Sequence, residues 1–250
     1  MTPEELARAL RRGCPVDDDE LDQHLLARWW RVAGRYFTPI AVAARAAQVL
    51  ESYGVRTVLD VGSGVGKFCI VAALASDLEL TGIEQRAPMV LESRRLAARF
   101  GVSHRARFER GTIEGFELAS FDALYVFNSF AENVFPPSER VDATVELSAA
   151  RMARDLAIVE RALEGMPLEG SLLTSHGHGG EIPDTFDCVH EETAGTDVLR
   201  LWAKRRATSC GARWIEVGDE VMLCDESVIA RTRALARTRF EIVVQEQDDG

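Results

Sequence analysis

The pattern of hydrophobic and polar positions divides the chain near residue 55. Before it, apolar residues recur at helical spacing, and three helices are expected. Residues 3–12 form the first, and an acidic run at residues 17–19 opens a second through LDQHLLARWWRV. Thr38-Pro39 has the form of an N-cap followed by proline at the first helical position, so it opens a third helix, PIAVAARAAQVLESYG, which ends at Gly54.

Short apolar runs alternate with helical patterns from residue 56 onward. The predicted strands are TVLDV, ELTGIE, ARFERG, FDALYVF and SLLTSH, and the predicted helices cover residues 66–75, 88–100 and 145–163. FDALYVF is almost wholly apolar, as expected of a central strand covered on both faces. FDCVHEET and DVLRLWAK, joined through Ala194-Gly195, predict a closing hairpin. The alternation predicts an α/β fold with a doubly wound, mostly parallel, seven-stranded sheet.

Three regions follow from this organisation. Residues 1–54 are expected to form an N-terminal helical cap, residues 55–206 the α/β domain, and residues 207–250 a C-terminal extension. The helical cap carries Trp29, Trp30, Tyr36 and Phe37, which either pack over a sheet edge or close a ligand pocket. The extension contains the amphipathic run VIARTRALARTRF. We expect that run to pack on its own domain, with a homodimer contact as the alternative.

Composition narrows the class of protein. The chain has 250 residues, 46% of them hydrophobic, and a net charge of -11, which argues against a broad nucleic-acid surface. Its five cysteines are scattered without a CxxC pair, which favours a reducing compartment and neither a structural zinc nor a disulfide framework. The charged start MTPEELARALRRG does not fit a signal peptide, and we see no apolar run long enough for a membrane helix. We expect a cytoplasmic protein.

The stretch VLDVGSGVGKF, residues 58–68, is a glycine-rich turn after a strand. A P-loop requires Ser or Thr after its lysine, and here Phe68 follows Lys67. A dinucleotide fingerprint requires a third glycine at the position that Lys67 occupies, which disfavours a NAD-dependent oxidoreductase. The chain therefore matches neither of these two phosphate-binding motifs.

The pattern that fits is D-x-G-x-G-x-G with an acid at the end of the second strand. That acid is Glu84, whose carboxylate can accept from both ribose hydroxyls of a nucleoside. Asp60 would stand beside a cationic arm of the ligand, and Gly62 and Gly64 let the backbone approach closely. The site suits an adenosine that carries a positively charged amino-acid arm.

This constellation resembles the cofactor site of class I S-adenosylmethionine-dependent methyltransferases, and VLDVGSGVGKF…TGIE…FDALYVFNSF is most similar to the non-SET histone-lysine methyltransferases and their bacterial relatives. The resemblance implies S-adenosylmethionine as cofactor. It departs from the family at Gly111-Thr112-Ile113, where an acid is usual, and at Phe127-Asn128, where two asparagines are usual. The implied cofactor positions are Thr38, Asp60, Gly62, Ser63, Gly64, Gly66, Lys67, Glu84, Gln85, Thr112, Ile113 and Asn128.

The turn NSFAENVFPPSE, residues 128–139 and here called the β4 turn, follows the most apolar strand. Asn128 is the expected catalytic residue, since its carbonyl can accept from an attacking N–H and aim the lone pair; it could instead only turn the chain. Glu132 is the second catalytic candidate, because its carboxylate can take a proton or bind a cationic substrate. The simpler expectation is that this carboxylate is only exposed to solvent. His176 and His178 lack further ligands, so no metal is expected.

The leading hypothesis is thus a S-adenosylmethionine-dependent methyltransferase that acts on nitrogen, in a protein side chain or a small molecule. Methyl transfer is an in-line displacement, and alignment alone supplies about 7–11 kcal/mol. The alternatives are a NAD-dependent oxidoreductase and a non-catalytic nucleoside-binding module.

Overall fold

A computed structural model describes residues 1–195 and 197–207, and beyond them only the backbone of three short strands. The chain divides into two compact units, Met1–Arg206 and Ala207–Gly250. No helix among the described residues is long and apolar enough to cross a bilayer.

The first unit contains a seven-stranded sheet with the order β3-β2-β1-β4-β5-β7-β6. Strands β1 to β5 run parallel, and β7 is antiparallel to both β5 and β6. The predicted fold class and the predicted closing hairpin are confirmed. The strands are β1 Thr57–Val61, β2 Glu79–Glu84, β3 Ala106–Arg110, β4 Ala123–Phe127, β5 Ser171–Ser175, β6 Phe186–Ala194 and β7 Asp197–Lys204.

Eight α-helices are described in this unit. They are α1 Pro3–Arg11, α2 Asp19–Asp22, α3 Ala27–Trp30, α4 Ala33–Tyr36, α5 Ile40–Ser52, α6 Lys67–Ala75, α7 Ala87–Arg99 and α8 Ala149–Gly165. Short 3₁₀-helices lie at Ile113–Gly115, Leu118–Ser120, Ala131–Val134 and Pro137–Glu139. The helical cap is therefore more broken than the sequence pattern suggests.

Two hydrophobic layers cover the two faces of the sheet. Since neighbouring strand residues point to opposite faces, Val58 joins the layer under α5, α6 and α7, whereas Leu59 joins the layer under α8. In β4, Tyr125 joins the layer under α5, α6 and α7, and Leu124 joins the layer under α8; both are fully buried. This is the central strand, covered on both faces, that its apolar run predicts.

The predicted second helix is two short helices, α2 and α3, instead of one, and α4 begins after its predicted end. Between α2 and α3 the backbone of Leu26 is extended, with φ −59° and ψ 144°. Its N–H donates to the Glu92 carboxylate on α7 at 2.8 Å. In a continuous helix the Leu26 N–H would donate to a carbonyl of the preceding turn, but here it donates to Glu92. The prediction of one helix through this stretch is therefore wrong.

The start of α5 also differs from its prediction. The helix begins at Ile40, with Pro39 in the N-cap position, and the Ile40 N–H donates to the Asp18 carboxylate at 2.7 Å. Thr38 does not cap the helix. Its hydroxyl shares a 3.2 Å hydrogen bond with the hydroxyl of Tyr125 in the core.

The second unit is described only as backbone. Strands β8 Arg213–Val217, β9 Glu220–Cys224 and β10 Val243–Val244 form an antiparallel sheet with the order β10-β8-β9. The amphipathic run VIARTRALARTRF lies outside the described residues, so its packing on its own domain, or in a dimer, stays a prediction.

Candidate functional site

A pocket opens at the carboxyl ends of β1, β2 and β4. Its wall contains nearly every residue singled out from the sequence, brought together from five separate segments. Those lining residues are Thr38, Asp60, Gly62, Ser63, Gly64, Lys67, Glu84, Gln85, Thr112, Ile113, Asn128 and Glu132. Ligands of open α/β sheets bind at this edge.

Gly66 is the predicted residue that does not line the pocket. It stands before α6 in the left-handed conformation, with φ 78°. A Cβ there would lie 2.4 Å from the Phe108 ring, so this glycine serves helix–strand packing. Gly64 has φ 55°, and a Cβ there would come within 3.2 Å of the Phe37 ring at the pocket wall.

Glu84 ends β2 with its carboxylate buried in the pocket wall. One oxygen accepts from the Arg86 N–H at 2.7 Å and the other from the Gly64 N–H at 3.2 Å. Burial raises the pKa of Glu84 above its ordinary value. A carboxylate offers about four acceptor sites, so each oxygen keeps capacity for one ligand hydroxyl. This arrangement fits a ribose.

Asp60 is buried at the end of β1 and accepts a weak hydrogen bond from the Cys69 thiol at 3.4 Å. Burial raises its pKa to about 7. A positive charge nearby would favour the ionised form. The residue therefore fits a position beside a cationic group.

Lys67 points away from the centre of the glycine loop and toward the helical cap. Its side chain is 2% exposed, and its ammonium lies 2.8 Å from the carboxylates of both Asp18 and Asp22. The lysine that breaks the dinucleotide fingerprint thus fastens the helical cap to the loop. Sequence reasoning did not identify either aspartate, because both lie more than 40 residues away along the chain.

The helical cap supplies one wall of the pocket. Tyr36 and Phe37 line it, whereas Trp29 is buried in the core beneath it. The Tyr36 hydroxyl donates to the Glu139 carbonyl, and the Arg35 guanidinium pairs with the Glu139 carboxylate. The sequence left two roles open for the four aromatic residues of the cap. Tyr36 and Phe37 line the pocket and Trp29 packs in the core, whereas Trp30 is 55% exposed and does neither.

The β4 turn closes the opposite wall. Asn128 has φ 51°, and its exposed side chain lines the pocket without a hydrogen-bond partner among the described residues. The Ala131 N–H donates to its carbonyl at 3.1 Å, and the Ser129 hydroxyl donates to the Val61 carbonyl. The backbone is thus fixed while the Asn128 amide faces the pocket.

The expectation that the Glu132 carboxylate is exposed to solvent is wrong. Its side chain is 14% exposed and pairs with Arg86 at 2.9 Å, and the same oxygen accepts from the Val141 N–H at 2.7 Å. Arg86 also pairs with Asp142 at 3.1 Å. This network ties the β4 turn to the residue after β2, and it engages one oxygen of the carboxylate that was a candidate for chemistry.

His176 follows β5 and does not line the pocket, although its ring contacts Phe127 of the pocket wall. Its Nδ1 pairs with the Asp197 carboxylate at the start of β7, and its ring meets the Phe127 ring edge-on at 5.1 Å. Like Asn128, it has a left-handed backbone, with φ 65°. Within the part of the chain that the structure describes, no group of three or more ligating side chains could hold a metal. Asp197 was missed because its link to His176 depends on the antiparallel register of β5 and β7.

A second charged pair was also missed. Arg151 and Asp155 on α8 line the pocket and form an ion pair at 2.9 Å. Their i,i+4 spacing is that of ordinary pairs on exposed helix faces, so the sequence alone gives no signal that they face a site.

Comparison with known proteins agrees with this site. Residues 58–151 match the model of a family described as a methyltransferase domain. Three solved structures are similar to this chain. The two with a TM-score above 0.5 support the fold alone, because their sequence identities are low.

One is a putative O-methyltransferase from Klebsiella pneumoniae, 15% identical, with 81% of this chain and 97% of that chain covered and a TM-score of 0.53. Another is a methyltransferase from Geobacter sulfurreducens, also 15% identical, with 76% and 92% covered and a TM-score of 0.52. An RNA methyltransferase from Salinibacter ruber, in complex with S-adenosyl-L-homocysteine, is 16% identical, with 74% and 98% covered and a TM-score of 0.48.

The domain match spans the glycine loop, Glu84 and the β4 turn, which are the same elements that build the pocket. The chain carries a methyltransferase domain over residues 58–151, and the protein is an S-adenosylmethionine-dependent methyltransferase.

Proposed function

We propose that this enzyme methylates a nitrogen atom, in a protein side chain or a small molecule. The observation that carries the proposal is Asn128, whose uncommitted side-chain amide lies in the pocket on a backbone fixed by its neighbours. The resemblance of the glycine loop and the β4 turn to the non-SET histone-lysine methyltransferases supports the same class of acceptor, without naming the substrate.

The proposed cofactor contacts follow from the pocket wall. Glu84 accepts from the ribose hydroxyls, Thr112 and Ile113 border the adenine, and Asp60 and Thr38 face the amino-acid arm. The residues present fit this group, because Glu84 keeps unused acceptor sites and Gly64, without a Cβ, packs against the Phe37 ring in the pocket wall. When bound, S-adenosylmethionine supplies an electrophilic methyl group on a sulfonium.

Asn128 then accepts a hydrogen bond from the N–H of the acceptor and aims its lone pair. The ring of Phe130 lies in the same wall and favours a cationic product. Glu132 is assigned to bracing, because its Oε1 accepts from both Arg86 and the Val141 N–H. Alignment is the main contribution that these residues make.

The test is Asn128→Gly, because glycine removes the amide without straining a backbone at φ 51°. We expect kcat to fall about ten- to a thousand-fold, with little change in the Kd for S-adenosylhomocysteine. Glu169→Gly is the matched control, since Glu169 has φ 68° at an exposed position outside the pocket. Full turnover by Asn128→Gly on its acceptor would refute the role.

An oxygen acceptor is the second candidate, and one observation favours it. The His176–Asp197 pair, packed on Phe127, is suited to take a proton from a hydroxyl. A panel of free amines, lysine peptides and phenols, assayed with radiolabelled cofactor, separates the two candidates. Methylated phenols together with a large loss of turnover in His176→Gln would favour oxygen over nitrogen.

Location and assembly are further proposals. A cytoplasmic location is supported by Cys14, Cys69 and Cys188, which are free thiols among the described residues. A homodimer is the assembly to test by analytical ultracentrifugation, and a single monomeric species would exclude it.

A further inference from the structure

The Arg151–Asp155 pair is a charged group in an unusual place. Both side chains line the pocket, at 15% and 7% exposure, and the Arg151 Nε lies 3.0 and 2.9 Å from the two carboxylate oxygens of Asp155. Their neighbours on α8, Met152, Leu156 and Val159, pack into the hydrophobic layer. The pair is therefore buried at the inner surface of α8.

Burial makes this pair costly, because removing two charges from water costs several kcal/mol per ion. A well-packed apolar pair would stabilise the same helix at least as well. The same pocket wall contains Thr112 and Ile113, which follow β3, and β3 lies beside the strand that ends at Glu84. The 3₁₀-helix that begins at Ile113 contacts α8. The two charged side chains are explained if the pocket binds a ligand group that needs both a hydrogen-bond donor and an acceptor.

Both side chains of the pair have unused hydrogen-bonding capacity. Among the described residues, Arg151 uses only Nε, which leaves its two NH₂ groups, and Asp155 bonds only to Arg151. Asn133 in the same wall is already committed, since it donates to the Phe130 carbonyl and accepts from the Ser148 N–H. Ile113, in the same pocket wall, is apolar and buried, and it suits the face of a flat ring.

An adenine edge matches this arrangement. Its exocyclic amine is a donor, and the adjacent ring nitrogen is an acceptor. Asp155 presents an acceptor and Arg151 a donor, side by side. A hypoxanthine edge presents the opposite order, a carbonyl acceptor beside an N–H donor, and would meet like groups.

We infer that the Arg151–Asp155 pair recognises the adenine edge of the cofactor, with Asp155 accepting from the exocyclic amine and Arg151 donating to a ring nitrogen. The pair is thus a specificity determinant supplied by α8. This inference depends on the cofactor and not on whether the methyl acceptor is nitrogen or oxygen.

The test compares two ligands by calorimetry, S-adenosylhomocysteine and S-inosylhomocysteine, in which a carbonyl replaces the amine. The wild-type enzyme should bind the adenosine compound at least ten-fold more tightly. Asp155→Asn should weaken that compound about ten- to a hundred-fold, the range for one charge-assisted hydrogen bond. It should also shrink the discrimination, because an asparagine amide can donate to the carbonyl of the inosine compound.

Two further variants separate recognition from folding. Arg151→Lys keeps the positive charge but loses the planar fork, so it should weaken S-adenosylhomocysteine while Tm stays close to wild type. Arg161→Gln, at an exposed position on the same helix, should change neither affinity nor discrimination. If Asp155→Asn and Arg151→Lys keep the full wild-type discrimination, the pair is structural and the inference is overturned, whatever their Tm.

Discussion

Lys67→Met tests how the helical cap is held to the cofactor loop. Methionine keeps an unbranched apolar stem of similar length, with sulfur in place of one methylene, and removes the ammonium. In the wild type that ammonium lies 2.8 Å from both Asp18 and Asp22, and its side chain is 2% exposed. The substitution therefore leaves two carboxylates without their cation.

The expected destabilisation comes mainly from Asp22. Its side chain is 7% exposed, against 44% for Asp18. Breaking a buried pair by removing one partner costs about 3–5 kcal/mol, whereas an exposed carboxylate contributes little. Burial raises the pKa of Asp22, so it can take up a proton in the variant and limit the loss at low pH. We expect about 3 kcal/mol at neutral pH, or about 6–12 °C in Tm for a unit of this size.

Calorimetry with S-adenosylhomocysteine shows how Lys67 acts on the cofactor. If the lysine works by holding Tyr36, Phe37 and Thr38 in place, Lys67→Met and Asp22→Asn should weaken binding to a similar extent. The double variant Lys67→Met/Asp22→Leu should regain part of the lost Tm, because it leaves no buried charge there. Weaker binding in Lys67→Met with an unchanged Kd in Asp22→Asn would refute this reasoning and make Lys67 a direct cofactor ligand.

Two further predictions concern the cofactor contacts. Glu84→Ala should weaken S-adenosylhomocysteine binding by about 1.5–3 kcal/mol per lost charge-assisted hydrogen bond, measured by calorimetry; tighter binding of NAD than of S-adenosylhomocysteine by the wild type would contradict the assignment. Because burial raises the pKa of Asp60 to about 7, the folded protein binds more protons there than the unfolded chain, so this group lowers stability as pH rises from about 4 toward 7. A cationic arm favours the ionised form, so binding below pH 7 should release a proton, detectable as a buffer-dependent enthalpy that is absent in Asp60→Asn.

The sheet was predictable because its signals are local. Each parallel strand is a short apolar run, and FDALYVF indicates burial on both faces by its composition alone. The glycine loop also carries local information, since left-handed positions favour glycine. These local patterns are enough to place Asp60, Glu84 and Asn128 at one edge of the sheet.

The interactions that complete the pocket are not local. Lys67 meets Asp22, Arg86 meets Glu132, and Leu26 meets Glu92, each across more than 40 residues. Charge pairing at such separations follows from the fold and leaves no periodic pattern in the chain. This is why the sequence predicted one long helix near Leu26 and a solvated Glu132.

The contact between Arg35, Tyr36 and Glu139 has a consequence for how the enzyme responds to ionic strength. This bridge between the helical cap and the β4 turn lies at the protein surface, where dissolved ions screen charges within about 8–10 Å at physiological salt. The ion pair of Lys67 with Asp22 beneath it is buried and is screened much less. Added salt should therefore loosen the outer rim of the pocket while the inner part of the helical cap stays attached, so ligand exchange rates should rise with salt at nearly constant Tm.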